Sequence, residues 1–156
     1  MFTYAVEHTG RIGSFLEPFF VTFLFTDGSA SALRAAKYAA ALGSQVSVTL
    51  ISVHDDTGLK HLKKFFPKNT VSEYLREQSD KDLKSARVAL DKAGVTNDMI
   101  IKTGHVAKEI AKAAKAGKFD LIVMGAKGRS IVSDVLIGSV AQRVLSLTKL
   151  PLTIIK

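Results

Sequence analysis

From residue 19 onward the chain alternates two kinds of apolar pattern. Short uninterrupted apolar runs are followed by longer stretches in which apolar residues recur every three or four positions. The short runs are Phe19 to Phe25, Val46 to Val53, Met99 to Lys102, Leu121 to Met124 and Leu152 to Ile155. Runs without polar alternation belong to strands buried on both faces, so they indicate a parallel sheet covered by helices on each side. The helical stretches run from Ser31 to Leu42, through residues 70–93, from Val106 to Lys115, and through Val140, Val144 and Leu147. Their expected core faces are Leu33, Ala36 and Ala40, then Leu83, Ala86, Leu90 and Ala93, then Ala107, Ile110, Ala111 and Ala114. Gly43 and Gly94 stand where the first two helices should stop. Residues 55–69 read as a polar, basic loop. The reading is one α/β domain over 19–156, preceded by an extension over 1–18 that fits none of the pattern.

Other classes are excluded at this stage. The apolar run Phe19 to Phe25 is broken by Thr22 and far short of the ~20 residues that span a bilayer. The first ten residues carry Glu7 and no Lys or Arg, which is not the pattern of a secretory leader. The chain has no Cys, which removes disulfides, Cys-ligated zinc, iron–sulfur clusters and thiol nucleophiles, and makes a reducing cytoplasm the expected location. Its 22 Lys plus Arg against 14 Asp plus Glu leave a net charge of +8. That balance suits an anionic partner such as a polyphosphate, and equally suits an ordinary basic surface.

Ligands of open parallel sheets bind beyond the carboxyl ends of the strands. Strand one is followed by Thr26-Asp27-Gly28-Ser29, strand two by His54-Asp55-Asp56, and strand four by Gly125-Ala126-Lys127-Gly128-Arg129-Ser130. In the last loop Gly125 and Gly128 can take positive φ or let a ligand reach bare backbone, and successive amides can form an anion cradle. Lys127, Arg129 and Ser130 add charge and donors. Gly138-Ser139 then opens a helix whose free N–H groups favour phosphate. Two turn glycines and a plain Gly-Ser cap would look the same. No G-x-x-x-x-G-K-[ST] motif is present, since Gly117-Lys118 is followed by Phe119, and no G-x-G-x-x-G follows strand one. The four His (His8, His54, His61 and His105) have no metal-ligand spacing and read as surface or loop residues. Asp55-Asp56 reads as a solvated turn. The tract from Lys60 to Lys68 interleaves Lys with Phe65 and Phe66; it suits stacking on nucleic acid, a lid over a nucleotide, or a solvated loop whose Phe rings dock on the core.

The spacing Gly125-x2-Gly128-x9-Gly138-Ser139, after Asp120-Leu121-Ile122-Val123-Met124, resembles the ATP-binding loop of the universal stress protein family. Thr26-Asp27-Gly28-Ser29 after strand one, Val53 near the end of strand two and Pro151-Leu152-Thr153-Ile154-Ile155 at the end extend the resemblance over about Phe19 to Lys156. It implies a Rossmann-like five-stranded parallel sheet in the order 3-2-1-4-5, with the site between strands one and four. It implies that Asp27 and Val53 hold adenosine. Gly125, Gly128, Gly138, Ser139 and Val140 would then hold the phosphates, with Thr26, Gly28, Met124 and Arg129 beside them. It also implies ATP, with Mg²⁺, as a regulatory or sensor ligand in a stress response, and at most slow hydrolysis, because no general base stands out near the phosphates. A non-nucleotide interaction module or a nucleic-acid-binding module on the same fold is the alternative. Asp27 could instead cap the first helix. In the implied order strand five is an apolar edge, with Leu152 and Ile154 available to pair with a second copy. A homodimer through that edge and a regulatory partner protein are the expected partners; a covering N-terminal extension would be the other fate of the edge.

Overall fold

The computed structural model describes residues 20–129 and 137–156. The extension over 1–18, Phe19, His8 and Ser130 lie outside them. The elements run β1 (Phe20–Phe25), α1 (Ala30–Ala41), β2 (Val46–His54), α2 (Asp56–Phe65), α3 (Lys68–Lys92), β3 (Thr96–Thr103), α4 (Val106–Ala116), β4 (Leu121–Gly125), α5 (Ser139–Leu147) and β5 (Leu152–Ile155). All pairings are parallel and the sheet order is β3-β2-β1-β4-β5. The expected α/β architecture and strand order are therefore what the structure has.

Side-chain parity divides the sheet between two cores. Leu24, Val48, Leu50 and Val123 face one way, against Ala35, Ala36 and Ala39 of α1 and Leu83, Ala86 and Leu90 of α3. Phe23, Phe25, Ile51, Ile122 and Met124 face the other way, against Ala107, Ile110 and Ala114 of α4 and Ala141 and Val144 of α5. Phe23 stacks tilted on Phe119 with ring centroids 4.5 Å apart. Each large side chain buried this completely contributes roughly 1.5–3 kcal/mol of transfer free energy. Small Ala faces on α1 and α4 let the helix backbones lie close to the sheet. At the entry to β4, Asp120 Oδ2 accepts a hydrogen bond from Val21 N–H at 2.8 Å, pinning β4 beside β1. Thr22, in the middle of β1, is fully buried and its Oγ1 has no hydrogen-bond partner.

Four expectations change. The stretch 55–69 is not a loop: it contains α2, and α3 begins at Lys68, immediately after Pro67. The Asp55 carboxylate accepts from Thr57 N–H at 2.7 Å, and Asp56 in the first turn complements the helix dipole, so α2 starts on its own local signals. Its inner residue Leu59 packs with Val71 and Leu75 of α3 in a third, small cluster. β3 is twice the expected length, because edge residues such as Asn97 and Asp98 pair along β2 despite their polarity. The core face of α1 is Ala32, Ala35, Ala36 and Ala39, turned from the Leu33–Ala36–Ala40 face. Ala93 caps α3 in solvent and Leu147 is largely exposed. Gly43 and Gly94 do stop α1 and α3, with φ of +82° and +67°.

Candidate functional site

At the carboxyl ends of β1 and β4 the connections leave toward opposite faces of the sheet, which opens a crevice at the switch point. A cavity of about 360 Å³ lies there. Its walls come from the β1, β2 and β4 ends, α3 and the start of α5.

The β1 side is a tightly bonded turn. Thr26 is buried, its N–H donates to Ile51 O at 3.1 Å, and its Oγ1 accepts from Gly28 N–H at 3.3 Å. Gly28 has φ +75°, a conformation that suits glycine. Asp27 Oδ1 accepts from Ser29 N–H at 3.0 Å. The cap of α1 is Ser29, whose Oγ accepts from Ala32 N–H at 3.1 Å. Asp27 is thus not the capping residue and its second carboxylate oxygen is left facing Gly128. Thr26 and Gly28 do not line the cavity. They build the turn behind Asp27, and Gly28 packs on Asp82 and Arg129 instead.

The β4 side is stitched to that turn. Ser29 Oγ donates to Lys127 O at 3.3 Å, and Ser31 Oγ donates to Ile155 O at 3.1 Å. Neither Gly125 nor Gly128 has positive φ, contrary to one of the two expected uses. Gly125 is glycine for packing: a Cβ there would lie 2.6 Å from Ser31 C and 2.8 Å from Ala32 N. The start of α1 can approach β4 only over bare backbone. Among the described residues, a Cβ at Gly128 would meet the Asp27 carboxylate, at 3.0 Å from Oδ2. Arg129 crosses the rim: its Nε donates to Asp27 O and its guanidinium pairs with Asp82 of α3.

The third wall is the start of α5. Gly138 is its cap, held by its own N–H donating to Ala126 O at 2.7 Å. Gly138 has no side chain with which to cap the first turn, and Ser139 and Val140 bring the helix N-terminus to the cavity. Val53 and Met124 complete the apolar part, with Phe25 and Val106. Of the expected residues, Asp27, Val53, Met124, Gly125, Gly128, Arg129, Gly138, Ser139 and Val140 all meet in this one cavity.

The structure adds residues that strand ends alone do not reveal. His54 is not a surface histidine. It ends β2 half-buried, with Nε2 2.6 Å from Ser79 Oγ, which lies 3.3 Å from Ser52 Oγ. Burial holds its pKa below the usual imidazole value, the nearby Arg129 adds to this, and Asp82 and the Leu75 carbonyl oppose it. Hydrogen bonds from Thr57 hold the Asp55 carboxyl below its usual range at the cavity's outer edge. Asp82 and Ser79 come from α3, far from any strand end. A polar residue on the core face Leu75–Ser79–Leu83 is the one signal by which the sequence marks them. Among the described residues no three His, Cys, Asp or Glu come together as a metal site, and no helix is long and apolar enough to cross a membrane.

The comparisons with known proteins agree with this geometry. The model of the "Universal stress protein family" matches residues 24–156. Universal stress protein MJ0531 of Methanocaldococcus jannaschii is 31% identical over 133 residues, 84% of this chain and 78% of that protein. The structure of MJ0577 from the same organism superimposes with a TM-score of 0.78 at 26% identity, covering 89% of this chain and 96% of the other. Two more distant structures share the fold. A universal stress protein in complex with cAMP has a TM-score of 0.67 at 21% identity, covering 90% and 99% of the two chains. One from Arabidopsis thaliana with AMP bound has 0.60 at 16%, covering 88% and 91%.

Proposed function

The chain belongs to the universal stress protein family, and on that premise we propose that its crevice binds ATP, with Mg²⁺, as a regulatory or sensor ligand. The observation that carries this is the convergence on one cavity of a glycine-capped helix N-terminus and a cationic glycine loop, beside an apolar slot. The α5 N-terminus suits phosphate, because the N–H groups of a helix's first turn and the helix dipole stabilise negative charge. Arg129, held by Asp27 O and Asp82, brings a positive charge to the rim. Val53, Val106 and Met124 offer an apolar surface to adenine, and the second oxygen of Asp27 can accept from a sugar hydroxyl or an exocyclic amine. That two structural neighbours carry cAMP and AMP supports adenine as the base. Mg²⁺ would arrive on the phosphates, since no metal cluster of the protein's own is present among the described residues. Slow hydrolysis at most goes with this reading: His54, the histidine among the described lining residues, is engaged with Ser79.

Titration calorimetry with ATP and Mg²⁺ tests the reading. The expected result is saturable binding, weakened when Mg²⁺ is removed. Absence of any heat at millimolar ATP, ADP and AMP overturns it and leaves an interaction or nucleic-acid-binding module on the same fold.

A homodimer in the cytoplasm is part of the proposal. β5 is the sheet edge beside β4, and Leu152 and Ile154 are only partly buried on it. A second copy pairing along this edge would satisfy its open hydrogen-bonding groups. Light scattering at micromolar concentration should give twice the 16.8 kDa chain mass. A strict monomer refutes it. A dimer that persists in a Thr153→Pro, Ile154→Lys double variant places the interface elsewhere.

A further inference from the structure

The corner between α2 and α3 departs from the rest of the surface. Phe65 ends α2 and is 78% exposed; Phe66 follows it at 51%. Neither ring docks on the core, against one expectation for this tract. Large apolar side chains this open on a folded domain mark contact surfaces when they cluster. These two cluster with charge of one sign. Residues 57–72 carry Lys60, Lys63, Lys64 and Lys68 and no Asp or Glu. Lys60, Lys64 and Lys68 are exposed. The nearest acids are Asp56, which pairs with Lys60 at 3.5 Å, and Glu73 on α3. Tyr74, half exposed, adds a third ring one turn further along α3.

The corner is also carried apart from the two main cores. Leu59, Val71 and Leu75 form their own small cluster, which holds α2 onto α3 and leaves the opposite side to solvent. Neither Phe is among the described residues that line the crevice.

We propose that this corner docks the protein peripherally on an anionic lipid surface, with Phe65 and Phe66 entering the boundary between headgroups and acyl chains and the lysines lying on the headgroups. Aromatic or aliphatic residues beside a polybasic segment are the arrangement that binds such surfaces, because apolar burial and attraction to anionic headgroups act together. The charge is complementary, and the rings have no polar handle that would need a specific acceptor. A nucleic-acid platform needs a cationic groove that tracks a backbone beside the stacking rings. Here the rings sit at a helix end and just past it, projecting into solvent. The proposal is independent of what the crevice binds.

The chain contains no Trp, so Phe65→Trp provides a single reporter. With vesicles of phosphatidylglycerol and phosphatidylcholine at low salt, its emission should shift to the blue and the protein should sediment with the lipid. With pure phosphatidylcholine neither should occur, and 0.5 M salt should release most of the bound protein. Phe65→Ser with Phe66→Ser should weaken partitioning at least tenfold, and Lys60→Glu with Lys64→Glu should abolish it. All four positions are exposed, and circular dichroism checks that the variants keep the fold. No sedimentation with anionic vesicles overturns the proposal. So does a Phe65, Phe66 variant that binds as well as wild type, which would reduce the effect to charge adsorption. Phe-dependent capture of a single-stranded oligonucleotide without vesicle binding overturns it in favour of a nucleic-acid surface.

Discussion

Gly125 and Gly128 stand three residues apart in one loop, yet the structure uses them differently. The base of the crevice, where β4 meets the start of α1, is closed packing: a side chain at Gly125 has backbone atoms on top of it. At the rim, a side chain at Gly128 would meet, among the described residues, the end of the Asp27 carboxylate rather than backbone. One glycine is therefore required by the fold and the other leaves room for a ligand. A motif records both as the same letter, and only the neighbours tell them apart.

The sharpest way to break this contrast is at the base. Gly125→Val should destabilise the protein by about 3 kcal/mol, since overpacking against an immovable backbone exceeds what side-chain repacking can absorb. Thermal unfolding followed by circular dichroism measures it. Wild-type stability would mean that α1 can retreat from β4 and that base and rim do not differ.

The next effect belongs to the rim. Asp27→Ala should weaken nucleotide affinity by ~1–3 kcal/mol if the free carboxylate oxygen accepts from the ligand, as for other hydrogen bonds to charged groups. Because Oδ1 also holds Ser29 N–H, some stability goes with it. Asp27→Asn keeps that local acceptor and separates the two effects. Calorimetry in which the Ala variant binds as wild type returns Asp27 to a purely structural part.

Gly128→Ala should cost about tenfold in affinity, about 1.4 kcal/mol, with the melting temperature within a degree or two of wild type. An equal loss of stability at Gly125 and Gly128 would erase the distinction.

The gentlest test is by pH, at the α3 wall. Burial lowers the His54 pKa in the folded protein. In the window between the folded value and the usual value near 6.5, the unfolded chain binds more protons than the native one. Stability from this residue is therefore fully present above about pH 6.5 and declines as pH falls through the folded value. Denaturant midpoints between pH 5 and pH 7.5 should rise with pH, and His54→Gln should flatten the rise. An unchanged slope in that variant assigns the dependence to other groups.

Much of this was legible in the residues. The uninterrupted runs Val46 to Val53 and Leu121 to Met124 demand a sheet covered on both faces, and the widely spaced Gly125, Gly128 and Gly138-Ser139 do come together in one crevice. The helix α2 is amphipathic, with Leu59, Leu62 and Phe65 at helical spacing, but it is short and crowded with Lys, and it is held by docking Leu59 against Val71 and Leu75 of the next helix. The α1 face was misjudged because Ala residues fill nearly every turn there. When almost all positions are small and apolar, periodicity does not say which of them the sheet covers.

Periodicity and turn chemistry are local, so the sequence by itself determined the five strands, four of the five described helices, the parallel sheet and the loops that carry the glycines. Only the tertiary structure decided that Asp82 of α3 reaches the crevice, that Ser79 reaches His54, that Arg129 spans to Asp82, that His54 is drawn off the surface, and that Gly125 serves packing. Each of these depends on contacts between residues dozens of positions apart, made when the sheet is assembled and the helices settle on it. No window of sequence contains both partners of such a contact.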